Sequence, residues 1–151
     1  MNARNLQWTG LQVVTTYNAL YDISNLSSAD KFQLGGLLRR IRGLGDYDPQ
    51  CAAFRLLEPA EYDVQQHDGS PLLLPDGKPK KGYKYDAAVL LQPFPEIAIS
   101  SAEEAAVVRA LVAMLSREDG NIGACADLLD IASWFGVVDA LYAAVVPESL
   151  R

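Results

Sequence analysis

The sequence predicts an α+β fold in which helices dominate: one domain, with a small antiparallel β-sheet in the middle of the chain and helices before and after it. Apolar side chains recur at three- and four-residue spacing through 1–58 and again through 101–147, as in helices with one buried face. Between them, 59–100 switches to short alternating runs separated by Gly, Pro, Asp and Ser, as in hairpins. A chain of 151 residues buries roughly two thirds of its extended surface, enough for one core and too little for two.

Each helix has a start signal. Thr9 with Gln12 fits a capping box and Trp8 with Val13 the accompanying staple, which opens a helix over about 10–24 with the stripe Leu11, Val14, Tyr17, Leu20 and Tyr21, ended by Asn25. Ser27 with Asp30 opens the second, which buries Leu34, Leu37, Leu38 and Ile41 and stops at Gly43 or Gly45. Asp48 before Pro49 starts a third over about 49–57, because aspartate caps free amides and proline's fixed φ suits the first helical position.

In the middle, 62–66, the turn His67-Asp68-Gly69-Ser70 and 72–74 read as a hairpin. A loop over 75–82 follows, and 83–91 alternates well enough to be the best strand of the chain. Pro93 and Pro95 end it, and 96–100 forms a short last strand. Ser100 with Glu103, or Ser101 with Glu104, caps a helix with the stripe Ala105, Val108, Leu111, Val112 and Leu115. A helix over about 121–135, a break at Gly136 and a last helix to Pro147 complete the chain, with no internal repeat.

Composition narrows the function. Thirteen basic against 19 acidic residues, net −6, disfavour a wholesale binder of nucleic acid or anionic membrane. The opening MNARNLQWTG lacks the apolar run of about 7–15 residues of an export signal, and 105–115 falls short of the roughly 20 needed to span a bilayer. The expectation is a cytoplasmic chain, in a bacterial cell or phage-infected host, without a membrane partner. Cys51 and Cys125 are then reduced, buried thiols.

The single histidine excludes most hydrolytic chemistry. Cys51 or Cys125 could draw a base only from His67, which sits in a polar turn, and no G-x-S-x-G elbow is present. Two scattered cysteines and one histidine give no zinc spacing, so no metal and no cofactor are expected. Asp46-Tyr47-Asp48 could hold a cation, but Asp48 is better read as a helix cap; Asp127 and Asp130 read as a solvated helix edge. Ala132-x-x-x-Gly136 with Val138 and Tyr142 has helix-turn-helix spacing, yet six acids and no base lie between Arg117 and Arg151, so it reads as helix-pair packing.

Positive charge concentrates in two places. Lys31, Gly35, Arg39 and Arg42 share one strip of the second helix, with Gly35 leaving a notch that a neighbouring helix of the same chain would fill. Lys78, Lys80, Lys81 and Lys84 line a basic hairpin, and Tyr83 and Tyr85 flank Lys84 in a pattern typical of interaction hot spots. These residues are the expected partner-binding set. The reading is a non-enzymatic protein-binding module, an adaptor, inhibitor or assembly factor, whose partner carries an acidic surface. The apolar C-terminal helix pair offers a route to self-association. Nucleic acid ranks below protein because only one short segment interleaves tyrosine with lysine. Two alternatives stay open: an enzyme whose Asp46 or Asp48 meets His67 only in three dimensions, and a structural subunit of a larger assembly.

Overall fold

The computed structural model describes residues 4–21, 23, 25–43, 48–116 and 122–150, and only the backbone of 122–125. In chain order the elements are β1 (Arg4–Leu6), α1 (Gly10–Leu20), α2 (Ser28–Arg42), α3 (Pro49–Leu56), β2 (Ala60–Asp63), β3 (Lys81–Lys84), α4 (Ala87–Leu90), β4 (Ile97–Ile99), α5 (Ser101–Leu115), α6 (Ile122–Phe135), α7 (Val138–Val145) and a closing 3-10 turn (Glu148–Leu150). The architecture is helix-dominant α+β with two small antiparallel sheets, β1–β4 and β2–β3.

Local signals place the helix starts where the sequence puts them. The Thr9 side chain accepts from the Gln12 amide while Gln12 Oε1 accepts from the Thr9 amide. Ser27 caps α2, Asp48 caps α3 ahead of Pro49, and Ser100 with Glu103, rather than Ser101 with Glu104, forms the capping box of α5. Asn25, at φ 67°, lies beyond the end of α1, and Gly43, at φ 82°, stops α2. Gly45, Asp46 and Tyr47 lie outside the described residues, as do the start signal of α6 and the surroundings of Cys125. Cys51 is a half-buried free thiol.

The core forms where α2 packs on α5. Leu34, Leu37, Leu38 and Ile41 of α2 are buried as the periodicity predicts. On α5 the buried face is Ala106, Val107, Ala110 and Leu111, rotated from the predicted stripe; Val108, Val112 and Leu115 lie at its margin. Helices on two sides of α5 set this face, and its alanines give α2 room to approach. In α1 the buried residues are Val13, Thr16 and Leu20, while Leu11 and Tyr21 face outward. Gly10 explains this rotation, since a Cβ there would meet Leu57, Val89 and Leu90, so that edge of α1 is pressed onto the neighbouring segments.

Two reciprocal ion pairs lock the α2–α5 interface. Asp30 of α2 accepts from Arg109 of α5 at 2.8 Å, and Glu103 of α5 accepts from Arg40 of α2 at 2.8 Å. Both carboxylates are buried. The Arg109 hydrogen bond holds the Asp30 pKa below its ordinary value. Burial alone would raise that of Glu103, but bonds from Arg40 and the Ser100 amide outweigh it and the net direction is also down. A lowered native pKa favours the ionised folded state, so the stabilisation is complete above the ordinary carboxylate pKa of about 4 and disappears as pH falls below it. Thermal unfolding followed by circular dichroism between neutral and strongly acid pH should show stability dropping below about pH 4. Asp30→Asn with Glu103→Gln should flatten that drop; an equal drop in the double variant would show that the pairs do not cause it.

Three segments differ from the sequence expectation. The predicted strand over 83–91 stops at Lys84, because the Asp86 carboxylate accepts from the Ala88 amide and starts α4. The predicted last strand is present as β4, paired with β1, a three-residue strand too short to announce itself; the register is Arg4↔Ile99, Asn5↔Ala98 and Leu6↔Ile97. The third difference is a repeat. Asp-Gly-x-Pro occurs at 68–71 and again at 76–79, eight residues on, inside an arm spanning 60–84.

The two repeats fold alike. Gly69 donates to Gln66 O at 3.0 Å and Gly77 to Leu74 O at 2.9 Å; Gln66 N donates to Ser70 O and Leu74 N to Lys78 O, both at 2.8 Å. Each is a tight turn closed by a glycine at positive φ, 85° and 84°, with the aspartate side chain accepting from the amide two residues on. They meet the β2–β3 ladder at a ring of three backbone hydrogen bonds: Val64 N donates to Lys80 O, Lys80 N to Leu72 O, and Leu72 N to Val64 O, at 2.8–2.9 Å. The positions 64, 72 and 80 are themselves eight apart, which is how the repeat generates a three-way β junction.

Candidate functional site

Pairing register decides which side chains the arm displays together. Ala60↔Lys84, Tyr62↔Gly82 and Asp63↔Lys81 are opposed in the ladder, and Gln65↔Pro71 and Leu73↔Pro79 in the two turns. Opposed residues share a face and successive residues alternate. One face therefore carries Tyr62, Val64, Leu72, Leu74, Lys78, Lys80 and Lys84, with no carboxylate among its strand positions. The other carries Glu61, Asp63, Leu73, Lys81 and Tyr83.

This splits the residues expected to bind a partner. Lys78, Lys80 and Lys84 stand on the first face, exposed and without an ion pair among the described residues. Lys81 is on the second, where its hydrogen bond to Asp63 raises its pKa. Tyr83 lies on the second face too, so it does not flank Lys84 within one patch. Tyr85 is past the strand end, where it lines a groove of about 190 Å³ with Tyr17, Phe54 and Leu57 at the root of the arm. His67 is exposed in the first turn.

Sequence reading missed Tyr62 and Leu74, which complete the lysine-bearing face. Tyr62 is 50% exposed and its ring lies across Gly82, where an added Cβ would come within 2.5 Å of it. Glycine thus seats the tyrosine flat on the ladder between Lys80 and Lys84. Only the register reveals this, because 62 and 82 are remote in sequence.

Proline shapes the arm's edges. Pro71 and Pro79 sit at bridge positions where a strand residue would aim its amide outward, and they have none to offer. Such edges resist strand addition. The face, rather than the edge, is the surface left for recognition.

The strip on α2 is a weaker candidate. Gly35 is not filled by a neighbouring helix: a Cβ there would meet nothing within 4 Å. Lys31 and Gly35 border a groove of about 300 Å³ with Tyr21 and Leu34, whereas Arg39 borders another of about 500 Å³ with Gly36, Arg40 and Gln50. Arg39, Arg40 and Arg42 fall in the last turn of α2, where cations offset the helix dipole by roughly 0.3–1 kcal/mol each. That explains much of their placement without a partner. Phe32, 80% exposed on the same helix, is a further large apolar group beside the strip, and sequence reading passed over it. No principal packing contact joins α2 to the arm.

Asp48 accepts from the Gln50 amide, and Asp127 and Asp130 are exposed along α6. Gly136, at φ 72°, turns α6 into α7, and Val137 N closes the turn on Ala132 O at 2.8 Å. No protein-family model, no curated protein and no solved structure matches this chain.

Proposed function

We propose that this chain is a small non-enzymatic protein-binding module, an adaptor, inhibitor or assembly factor acting stoichiometrically, and that it binds through the lysine-bearing face of the arm. One observation carries the reading: the hydrophobic core, including the residues packed at its margin, draws nothing from 58–88, yet the arm is specified by two matched turns and a closed hydrogen-bond ring. A segment that adds little to the core but is held in a defined shape presents side chains at low ordering cost on binding. Its three unpaired lysines, spaced by Tyr62 and Leu74, suit a partial apolar surface rimmed by acids. The Asp48–His67 enzyme alternative gains no support, since Asp48 serves as a cap and His67 stands in a solvent-facing turn. No described helix is long and apolar enough to cross a membrane; the setting proposed for the partner is the cytoplasm.

The test is affinity capture from a lysate of the source cells, comparing two variants with the native chain by mass spectrometry. Lys78→Glu/Lys80→Glu/Lys84→Glu should lower partner recovery about tenfold or more, equivalent to at least ~1.4 kcal/mol. Leu73→Ser/Tyr83→Ser, on the opposite face, should leave it within about twofold, the scale of a peripheral contact. Equal recovery with the lysine variant, or a larger loss with the opposite face, would contradict the assignment.

A further inference from the structure

We infer that one partner of the arm is a second copy of this chain, whose α6–α7 end receives the lysine-bearing face. The inference rests on the arm being the binding element, and adds what it binds. Among its described residues α7 buries only Leu141 and exposes Val138, Tyr142 and Val145, at spacings of four and three that place them on one stripe. Leu129 of α6 is 53% exposed. An apolar helix stripe left open this way is normally covered in use.

Charge selects the occupant. Asp127 and Asp130 lie on α6, Asp139 on α7 and Glu148 just beyond it; no Lys or Arg lies between Arg117 and Arg151, Arg4 at the α6–α7 turn is paired with Glu104, and none of the four acids has an ion pair among the described residues. The arm's face is the converse, with three lysines around an aromatic and aliphatic centre and no carboxylate at its strand positions. Two copies at net −6 repel in most orientations, and one that opposes arm to α6–α7 gains electrostatically. Within one copy the two surfaces do not cover each other, since β2 and β3 pack on one another and α7 packs on α5 and α6. Each copy offers one arm and one α6–α7 end, which closes as a two-fold dimer where both contacts join the same two copies and builds a larger ring or an open chain where they join different ones.

A charge swap on the full chain tests this by light scattering after size exclusion, from ~10 to ~300 µM at low salt, the span in which micromolar self-association is seen. The native chain should exceed 16.4 kDa, increasingly so with concentration, and return toward it at high salt. Lys78→Glu/Lys80→Glu/Lys84→Glu should be monomeric, and so should Asp127→Lys/Asp130→Lys/Glu148→Lys. An equimolar mixture of the two should re-form a higher-mass complex, because each then meets an opposite charge. All substitutions are at exposed positions, and unchanged circular dichroism verifies the fold. A native chain that stays monomeric throughout, or a mixture that stays monomeric, overturns the self-docking proposal. If lysate capture still depends on the lysines, the binding role of the arm survives that result.

Discussion

Phe135→Ala is expected to cost about 4 kcal/mol, within the 3–5 kcal/mol typical of truncating a fully buried aromatic ring. Phe135 is 0% exposed at the end of α6, and its ring meets Trp8 edge-on, with centroids 4.9 Å apart at 80°. Arg4 donates to the Phe135 carbonyl and pairs with Glu104, while the Trp8 indole donates to Trp134 O at 3.1 Å. The ring therefore stands where β1, α5, α6 and the turn into α7 converge. Removing it leaves a cavity bordered by helices locked through other contacts, so relaxation cannot close it. Against a total stability of about 5–15 kcal/mol for a domain, the loss is large. Urea unfolding would show it as a lower midpoint with an unchanged slope. A loss below about 1 kcal/mol, the range of well-tolerated swaps, would mean that the chain's ends are not tied through this ring.

What the sequence disclosed follows from how local each interaction is. Thr9 with Gln12, Ser27 with Asp30, Asp48 with Pro49 and Ser100 with Glu103 act within a single helical turn, and all were legible. So was the buried face of α2, whose apolar spacing has one solution. The ion pairs Asp30–Arg109 and Arg40–Glu103 join residues 79 and 63 apart, and nothing local marks their partners. The buried faces of α1 and α5 turned away from their predicted stripes because neighbours, rather than periodicity, chose among several apolar options.

The arm shows a different limit. Its lysines and turns stood in the sequence, and so did the repeated Asp-Gly-x-Pro, but each turn signal taken alone describes an ordinary hairpin. The arrangement emerges only once the eight-residue spacing of Val64, Leu72 and Lys80 closes the hydrogen-bond ring. With that register, Tyr62 joins Lys80 and Lys84, while Tyr83 and Lys81 move to the opposite face.

The largest functional effect is expected from excising the arm. Ala60 and Lys84 are opposed in the ladder, so replacing 61–83 by an Asn-Gly turn closes an antiparallel pair. No residue between them belongs to the core cluster or its margin, and Tyr85, at the root groove, is retained. The unfolding free energy should therefore stay within about 1 kcal/mol of the native chain, as for substitutions away from buried features. Binding should disappear, because Tyr62, Leu72, Leu74, Lys78 and Lys80 go with the excised segment and Lys84 alone remains of the lysine-bearing face. Capture of partners from lysate by the arm-excised chain, with its thermal unfolding measured on the same sample, tests this most directly. The account predicts a cooperative unfolding transition near the native temperature together with recovery at background. A folded excised chain that still captures the native set of partners would contradict it.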